Sequence, residues 1–493
     1  MIELRATAFR IPAALAIVFA LTACGPPARR IPSLLLITVD TLRPDYLSIN
    51  GFDLPTSPSI DALVRSGFYF EQAVSPVPRT TPALAALLTG SYPHTNDVRR
   101  LTDRLSDGVG TLAEVLQSRG YQTLAVVTNQ VMTRDRGLDR GFDVYDLAGD
   151  TRLAKRTTDV ALGYLEGLRP GAPAFAWVHY IDPHAPYHSD PAIIEEFAPG
   201  YRGRYAQRFG QNGDAYDPRS HQPYPDDLPK RVATHRNPLD AETNAHVRRL
   251  YAADIRSLDT EVGRLVDAAR QRMGDDLLIV FTADHGESLG EHDFYFDHGD
   301  YVYNAGTRVP LAFVLPGSHP LHGHGRCSGW VSLVDVLPTV FDLLDQDPPA
   351  ALDAQMAGQS LIACMRGEPL ASRPVFAESG FSYYLPDVKR RVRNTIDGRF
   401  RAVVKDDWKL IYTPFAPEGD AWQLYDLAAD PHEAHDVYRP DHPMLPILQP
   451  ALEEFVAHTG TERPRGEISP ADADALRALG YLDPSDGTAD PVP

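Results

Sequence analysis

Cysteine is scarce in this chain, with 3 in 493 residues, too few for a disulfide framework. Basic charge is also in short supply. Lys and Arg number 47 against 66 Asp and Glu, a net charge of −19, which excludes a nucleic-acid binder working through a general basic surface. Past the N-terminal segment no stretch approaches the ~18 apolar residues that span a bilayer. Proline is abundant instead, at 43 residues, roughly twice its ordinary share, which points to many fixed loops rather than a bundle of long helices. With 43% apolar and 23% charged residues, disorder and collagen are excluded, and the length allows one large α/β domain plus a smaller one.

The N-terminus reads as an address. Arg5 and Arg10 precede an apolar run from Ile11 to Ala20, and Leu21-Thr22-Ala23-Cys24 follows, the pattern of a signal peptide with a small-residue cleavage site. This segment resembles the lipobox of bacterial lipoproteins. The resemblance implies cleavage before Cys24, a lipid on Cys24, and a membrane tether outside the cytoplasm, facing the periplasm or cell surface. A plain cleaved signal or a short anchor is the alternative. Residues 1–23 are then the signal and 24–32 a linker, leaving Cys327 and Cys364 in the body. These two either pair in an oxidising compartment or stay as buried thiols.

From Ser33 the chain alternates strand and helix signals. Leu34 to Val39 is a continuous apolar run ending in Asp40, and similar runs occur at Thr123 to Val127, Phe175 to Val178 and Leu277 to Phe281. Such runs are strands buried on both faces. Helix-period segments separate them, at Ile60 to Gly67, Leu112 to Gly120, Leu153 to Gly167 and, most clearly, Val247 to Val266. The series predicts a mostly parallel central sheet flanked by helices over residues 33–372. Asp190 to Pro238 lacks periodicity and reads as a surface insertion. Beyond Arg373 come strand-like pieces (Phe400 to Val404, Trp408 to Tyr412, Gln423 to Leu427) and two short helices, Pro446 to His458 and Pro470 to Leu479. They suggest a smaller α+β subdomain over 373–482, with a disordered tail over 483–493.

Asp40 and Asp284 each follow a buried strand, where ligands bind in open α/β sheets. Two carboxylates in one crevice repel unless a cation joins them, and the neighbouring His285 adds nitrogen, favouring Mn or Zn over Ca or Mg. Taken singly, a strand-end Asp more often caps a turn. Thr80 opens a short segment with Pro82 just inside and Gly90 at its end. That is the grammar of a capped helix. A hydroxyl there beside a metal is also a candidate nucleophile.

Together the motifs resemble the sulfatase family of the alkaline phosphatase superfamily, from about Ser33 to Leu482. They are Val39-Asp40-Thr41-Leu42-Arg43-Pro44-Asp45, the Leu87-Leu88-Thr89-Gly90-Ser91-Tyr92-Pro93 helix end, Asp182-Pro183-His184-Ala185-Pro186-Tyr187, Thr282-Ala283-Asp284-His285-Gly286-Glu287, His298-Gly299, Arg308-Val309-Pro310, and Leu424-Tyr425-Asp426-Leu427 with Asp430-Pro431. The departures matter as much. Counting back ten residues from Gly90, where the family places the Cys or Ser matured to formylglycine, lands on Thr80. No formylglycine is expected from threonine. The motif's Arg position is Leu84, and the usual Asp-Asp and Asp-Asn pairs are Asp40-Thr41 and Asp284-His285. These changes resemble the phosphoryl-transfer branches of the superfamily.

The resemblance implies a divalent ion held by Asp40, Asp284, His285 and Thr80, with Thr80 attacking phosphorus or sulfur in line. His184 and His298 then contact the transferred group, assist the leaving group or hold a second metal. His179, His292 and Arg79 are further substrate-binding candidates, and Arg43 and Arg308 are read as structural ion pairs. The expected activity is phosphomono- or phosphodiester cleavage through a covalent Thr80 intermediate on a small-molecule, glycan or lipid ester. Sulfate-ester hydrolysis without formylglycine and an inactive binding lipoprotein are the alternatives. Specificity is expected from loops, with 190–238 and the Gly380 to Arg393 stretch as candidates.

Overall fold

The computed structural model describes residues 32–458 except 150, 151, 188, 204, 205, 207–239, 275, 383–397 and 415–420, together with Pro470 and Ala473. Cys24, the signal segment, the tail, most of the predicted Pro470 to Leu479 helix and much of both candidate loops lie outside the described residues.

Eight strands build the main sheet: β1 (Ser33–Val39), β2 (Phe68–Val74), β3 (Gln122–Val127), β4 (Val144–Leu147), β5 (Ala174–Tyr180), β6 (Leu277–Ala283), β7 (Arg308–Val314) and β8 (Gly325–Ser332). Their spatial order is β8-β2-β7-β6-β1-β5-β3-β4. The block from β6 to β4 is parallel throughout, as the continuous apolar runs predict. β1, β5 and β6 are buried along their whole length. Helices must therefore cover both faces of the sheet centre.

The sequence reading missed β2, β4, β7 and β8, and the physical reason is clearest at β7. Pro310 lies inside this strand, and a proline normally argues against a central strand because it lacks an N–H. Here β7 runs antiparallel between β6 and β2, and the β2 register shifts between Phe70 and Ala73, opposite Pro310. The bulge falls where the ladder has no donor to offer.

Helices α1 (Pro58–Arg65), α2 (Thr80–Thr89), α3 (Leu112–Ser118), α4 (Ala154–Glu166), α5 (Pro191–Phe197) and α6 (Ala241–Met273) follow the strands. Along α6 the buried residues Val247, Leu250, Tyr251, Ile255, Leu258, Val262 and Leu265 form one stripe, against which α1, α4 and α5 pack. α5 corrects the reading of 190–238 as wholly aperiodic. Asp190 accepts from the amide of Ala192, and Pro191 fills the first turn, so capping starts a helix where apolar periodicity is too short to show. Among the described residues no helix is long and apolar enough to cross a membrane.

The C-terminal part is a four-stranded antiparallel sheet of β9 (Val375–Ser382), β10 (Arg399–Lys405), β11 (Trp408–Tyr412) and β12 (Trp422–Asp426), in that order. Its alternating residues bury two faces. Val403, Leu410 and Leu424 pack with Leu448, Leu452 and Phe455 of helix α7 (Leu445–Ala457) and with Ala86 of α2. Ala402, Val404 and Ile411 pack with Val302, Trp330 and Val74. Cys327 and Cys364 form a disulfide, with Cα atoms 6.1 Å apart.

Candidate functional site

Sheet geometry gathers the site. Val39 is in register with Ala283 on one side and Tyr180 on the other, so Asp40 and Asp284 emerge side by side at one edge. Backbone bonds set both of them. The Asp40 amide donates to the carbonyl of Tyr180 (2.8 Å) and the Asp284 amide to the carbonyl of Val39 (3.2 Å). Thr41 then takes a left-handed conformation, φ +57°, which turns its amide onto Asp284 Oδ1 at 3.2 Å. The next residue but one after Asp284 must be glycine, because a Cβ on Gly286 would lie 2.2 Å from the carbonyl oxygen of Ala305.

The donor set fits a cation. Asp40, Asp284 and His285 are fully buried, and each offers a ligand atom within 4.8 Å of the others. Asp40 Oδ1 and Asp284 Oδ2 have no hydrogen-bond partner. His285 Nδ1 lies 2.9 Å from the carbonyl oxygen of Gly286, which requires the proton on Nδ1 and leaves a lone pair on Nε2. That lone pair faces Asp284 Oδ2 at 3.4 Å and Asp40 Oδ1 at 3.6 Å. A nitrogen lone pair and two carboxylate oxygens repel unless a cation stands between them. The protonation tendencies agree. Burial and then the charge of Asp40 push Asp284 well above the carboxylate range. Burial opposes the Asp40 charge too, but the neighbouring imidazoles of His179, His184 and His285 outweigh it and hold that carboxyl low. Burial, with His298 adding, pushes His285 well below the usual imidazole value, so it stays neutral.

Thr80 is the first residue of α2, and the N-cap place belongs to Arg79, with no side-chain cap bond. The capping role read for Thr80 is therefore corrected. Its hydroxyl points instead at the acidic group, with Oγ1 3.5 Å from Asp40 Oδ2 and 3.5 Å from His285 Nε2. Gly90 closes the helix in a left-handed conformation, φ +65°. A residue that the sequence reading missed completes the group. Asn129 Nδ2 donates to Asp40 Oδ2 at 2.7 Å and lies 3.3 Å from Thr80 Oγ1. The signal was available, since Thr128-Asn129 directly follows the apolar run of β3 just as Asp40 follows β1.

His298 and His184 join the same cluster. The His298 ring centroid is 4.4 Å from that of His285 and 5.1 Å from that of His184. Glu287 Oε1 lies 3.2 Å from His298 Nδ1, while Tyr187 donates to Glu287 Oε2 at 2.6 Å. This pairing fixes the imidazole tautomer. His184 Nδ1 donates to the carbonyl of Ala185. Burial, then His184, push His298 well below the usual imidazole value.

Other predicted residues are placed differently. His179, fully buried, turns Nδ1 to Thr38 Oγ1 (2.9 Å) and Nε2 to Asp40 Oδ2 (3.7 Å). Trp177 Nε1 donates to the same Thr38 oxygen at 2.9 Å. His179 thus lies against Asp40, with its Nε2 making no hydrogen bond. His292 stacks on Tyr303 at 3.6 Å. Arg79 is 3% exposed and close enough to His298 to contribute to lowering its pKa. Arg43 pairs with Asp45 (2.7 Å) and Glu291 (3.0 Å). Arg308 donates to the carbonyl of Glu71 and forms no ion pair among the described residues.

A buried acidic pair, a neutral imidazole and a hydroxyl at one sheet edge form a candidate ester-cleaving centre with a donor set that could hold a metal. The family model "Sulfatase" matches residues 32–346, and "N-sulphoglucosamine sulphohydrolase, C-terminal" matches 290–457. The chain belongs to the sulfatase family of the alkaline phosphatase superfamily and is an ester-hydrolysing enzyme of that superfamily. It is 26% identical to the multifunctional alkaline phosphatase superfamily protein PehA of Trinickia caryophylli, over 81% of this chain and 90% of that one. It is 22% identical to an N-acetylglucosamine-6-O-sulfatase of Bacteroides thetaiotaomicron, over 85% of each chain. A phosphonate monoester hydrolase of Agrobacterium radiobacter shares the fold, with a TM-score of 0.64 at 22% identity, covering 87% of this chain and 95% of that one.

Proposed function

We propose that this enzyme cleaves phosphate esters, mono- or diesters, through a covalent intermediate on Thr80. The observation that carries the reading is the Thr80 hydroxyl, held 3.3 to 3.5 Å from Asn129, Asp40 and His285 at the position where the family matures an aldehyde. Threonine carries a methyl on Cβ, so its oxidation would give a ketone. The residue is left with alcohol chemistry. A divalent ion held by Asp40, Asp284 and His285, Mn or Zn by the nitrogen donor, would neutralise the carboxylates and ease ionisation of Thr80.

The chain's own groups do the rest. Asn129 orients the Thr80 oxygen and Asp40 together. His298, kept in one tautomer by Glu287, takes the Thr80 proton at Nε2 as the Thr80 oxygen attacks phosphorus, and gives it to the leaving oxygen as that P–O bond breaks. It then takes a proton from the water that attacks phosphorus and returns it to Thr80 Oγ as the bond between phosphorus and Thr80 breaks. The likeness to a phosphonate monoester hydrolase supports a phosphorus centre. The likeness to an N-acetylglucosamine-6-O-sulfatase keeps sulfate esters as the second reading.

Turnover of matched aryl phosphate mono- and diesters and the aryl sulfate by Mn- or Zn-loaded protein tests this. Preference for a phosphate ester is the expected outcome, and turnover of the sulfate alone overturns the reading. We further propose a lipid anchor at Cys24, outside the cytoplasm. Labelled palmitate should enter the protein and be lost in Cys24→Ala.

A further inference from the structure

We infer that Tyr251, on α6, is a positioning residue for the candidate metal site: its hydroxyl holds Thr41 in the left-handed turn that sets the Asp284 carboxylate. The inference rests on the reading above, in which Asp40, Asp284 and His285 hold a divalent ion, and it gives Tyr251 no contact with substrate.

Tyr251 differs from the stripe it belongs to. Around it α6 buries Val247, Leu250, Ile255, Leu258, Val262 and Leu265, all aliphatic, and Tyr251 is buried as fully as they are. A phenol taken out of water needs bonding partners, and this one finds two on the chain that leaves β1. The Tyr251 hydroxyl donates to the carbonyl of Thr41 at 2.7 Å and accepts the amide of Arg43 at 3.0 Å. It therefore ties the first and third residues after Asp40 to the helix.

Thr41 needs such a tie. It is β-branched and sits at φ +57°, and a residue of this kind keeps a left-handed conformation only where its surroundings impose it. Its own side chain does not impose it, since the buried Oγ1 has no hydrogen-bond partner. The backbone bonds are what hold it: the Thr41 amide donates to Asp284 Oδ1 at 3.2 Å, and the Thr41 carbonyl accepts from Tyr251. These two bonds flank the strained Cα, so the second anchors the first.

The benefit falls on Asp284. Its Oδ1 accepts the amides of Thr41 and His285 (2.7 Å), while Oδ2, without a hydrogen-bond partner, faces His285 Nε2 at 3.4 Å. The His285 amide belongs to the next residue and moves with Asp284. The Thr41 amide comes from the end of the neighbouring strand and fixes the carboxylate relative to Asp40. Groups that orient a ligand in this way change metal affinity when they are removed.

Calorimetric titration of metal-free protein with Mn tests this. Tyr251→Phe keeps the ring, which packs edge-on against Tyr46 and Tyr187, and removes only the oxygen. It should weaken Mn binding about tenfold. Glycine adopts the left-handed conformation without steric cost, so adding Thr41→Gly to Tyr251→Phe should restore most of the lost affinity. Mn affinity equal to wild type in Tyr251→Phe, or a loss that Thr41→Gly leaves uncorrected, overturns the inference. If Tyr251→Phe does not fold, the double variant decides: Mn binding near wild-type strength upholds the inference, and failure to fold or to bind overturns it. Amide exchange of the metal-free proteins is the readout that needs no ion. The Thr41 amide should exchange about tenfold faster in Tyr251→Phe, and equal protection overturns the inference. Should the wild type bind no Mn, the metal reading fails, and the Thr41 exchange comparison decides the role of Tyr251 by itself.

Discussion

Two buried groups of charge in this molecule look alike and behave differently. In the C-terminal subdomain Lys409 Nζ lies 2.6 Å from Glu433 Oε1, each side chain 1% exposed. Lys409 also donates to Asn304 Oδ1 at 3.0 Å, and Glu433 Oε2 accepts the Asn304 amide. One positive group meets one negative group, and neighbours complete the bonding. At the edge of the main sheet Asp40 and Asp284 are as deeply buried, yet they face a neutral imidazole and each other. Burial of charge is common to both regions, so burial does not mark the working site. The charge sum does. A balanced pair is finished architecture, whereas an unbalanced one needs a further component to be stable.

Replacing the reactive oxygen separates chemistry from architecture most sharply. Thr80→Ala should lower turnover by about 10³-fold or more while its denaturant midpoint stays near wild type, because the hydroxyl makes only the long contacts described above. Activity that survives in Thr80→Ala would remove Thr80 from the mechanism. Breaking the balanced pair should do the reverse. Glu433→Gln leaves Lys409 buried without its counter-charge and should cost about 3 to 5 kcal/mol of unfolding free energy, read by denaturant melting. A cost under about 1 kcal/mol would show that the Lys409 pair is not balanced by Glu433. The smallest effect has the opposite sign. In protein stripped of metal by a chelator, Asp284→Asn removes a buried carboxyl that must be held protonated beside Asp40 and should raise stability at neutral pH by about 1 kcal/mol. A fall would mean that the carboxylates are not strained against each other.

The parallel half of the fold was readable because a strand buried on both faces has to be largely apolar, as Leu34 to Val39 and Leu277 to Phe281 are. Other strands were less readable. The antiparallel β7 contains Pro310, and the parallel β4 is only four residues long, so neither carries a clear period. At the site, Asp40, Thr80, Asp284 and His285 were legible from motif order, and the structure brings them together. Asn129 offered only the weak signal of its place after β3, which any turn asparagine shares, and its role depends on two distances that only the folded chain supplies. His179 and His292 show the converse limit. Motif neighbourhood brought them into the reading, and in the structure one lies 3.7 Å from the Asp40 carboxylate and the other stacks on a tyrosine.

The position of β1 has a consequence for how the chain is made. It is the first strand to be synthesised, yet it lies at the centre of the sheet, with β5 on one edge and β6 on the other. Its Val39 pairs with Ala283, so that edge stays bare until residue 283 has left the ribosome. A fully apolar strand with an open edge is the kind of surface on which nascent chains aggregate. Assembly of the sheet is bound to be late and non-local, which makes for slow folding. The same central strand that places Asp40 obliges the young polypeptide to be shielded until most of its length exists.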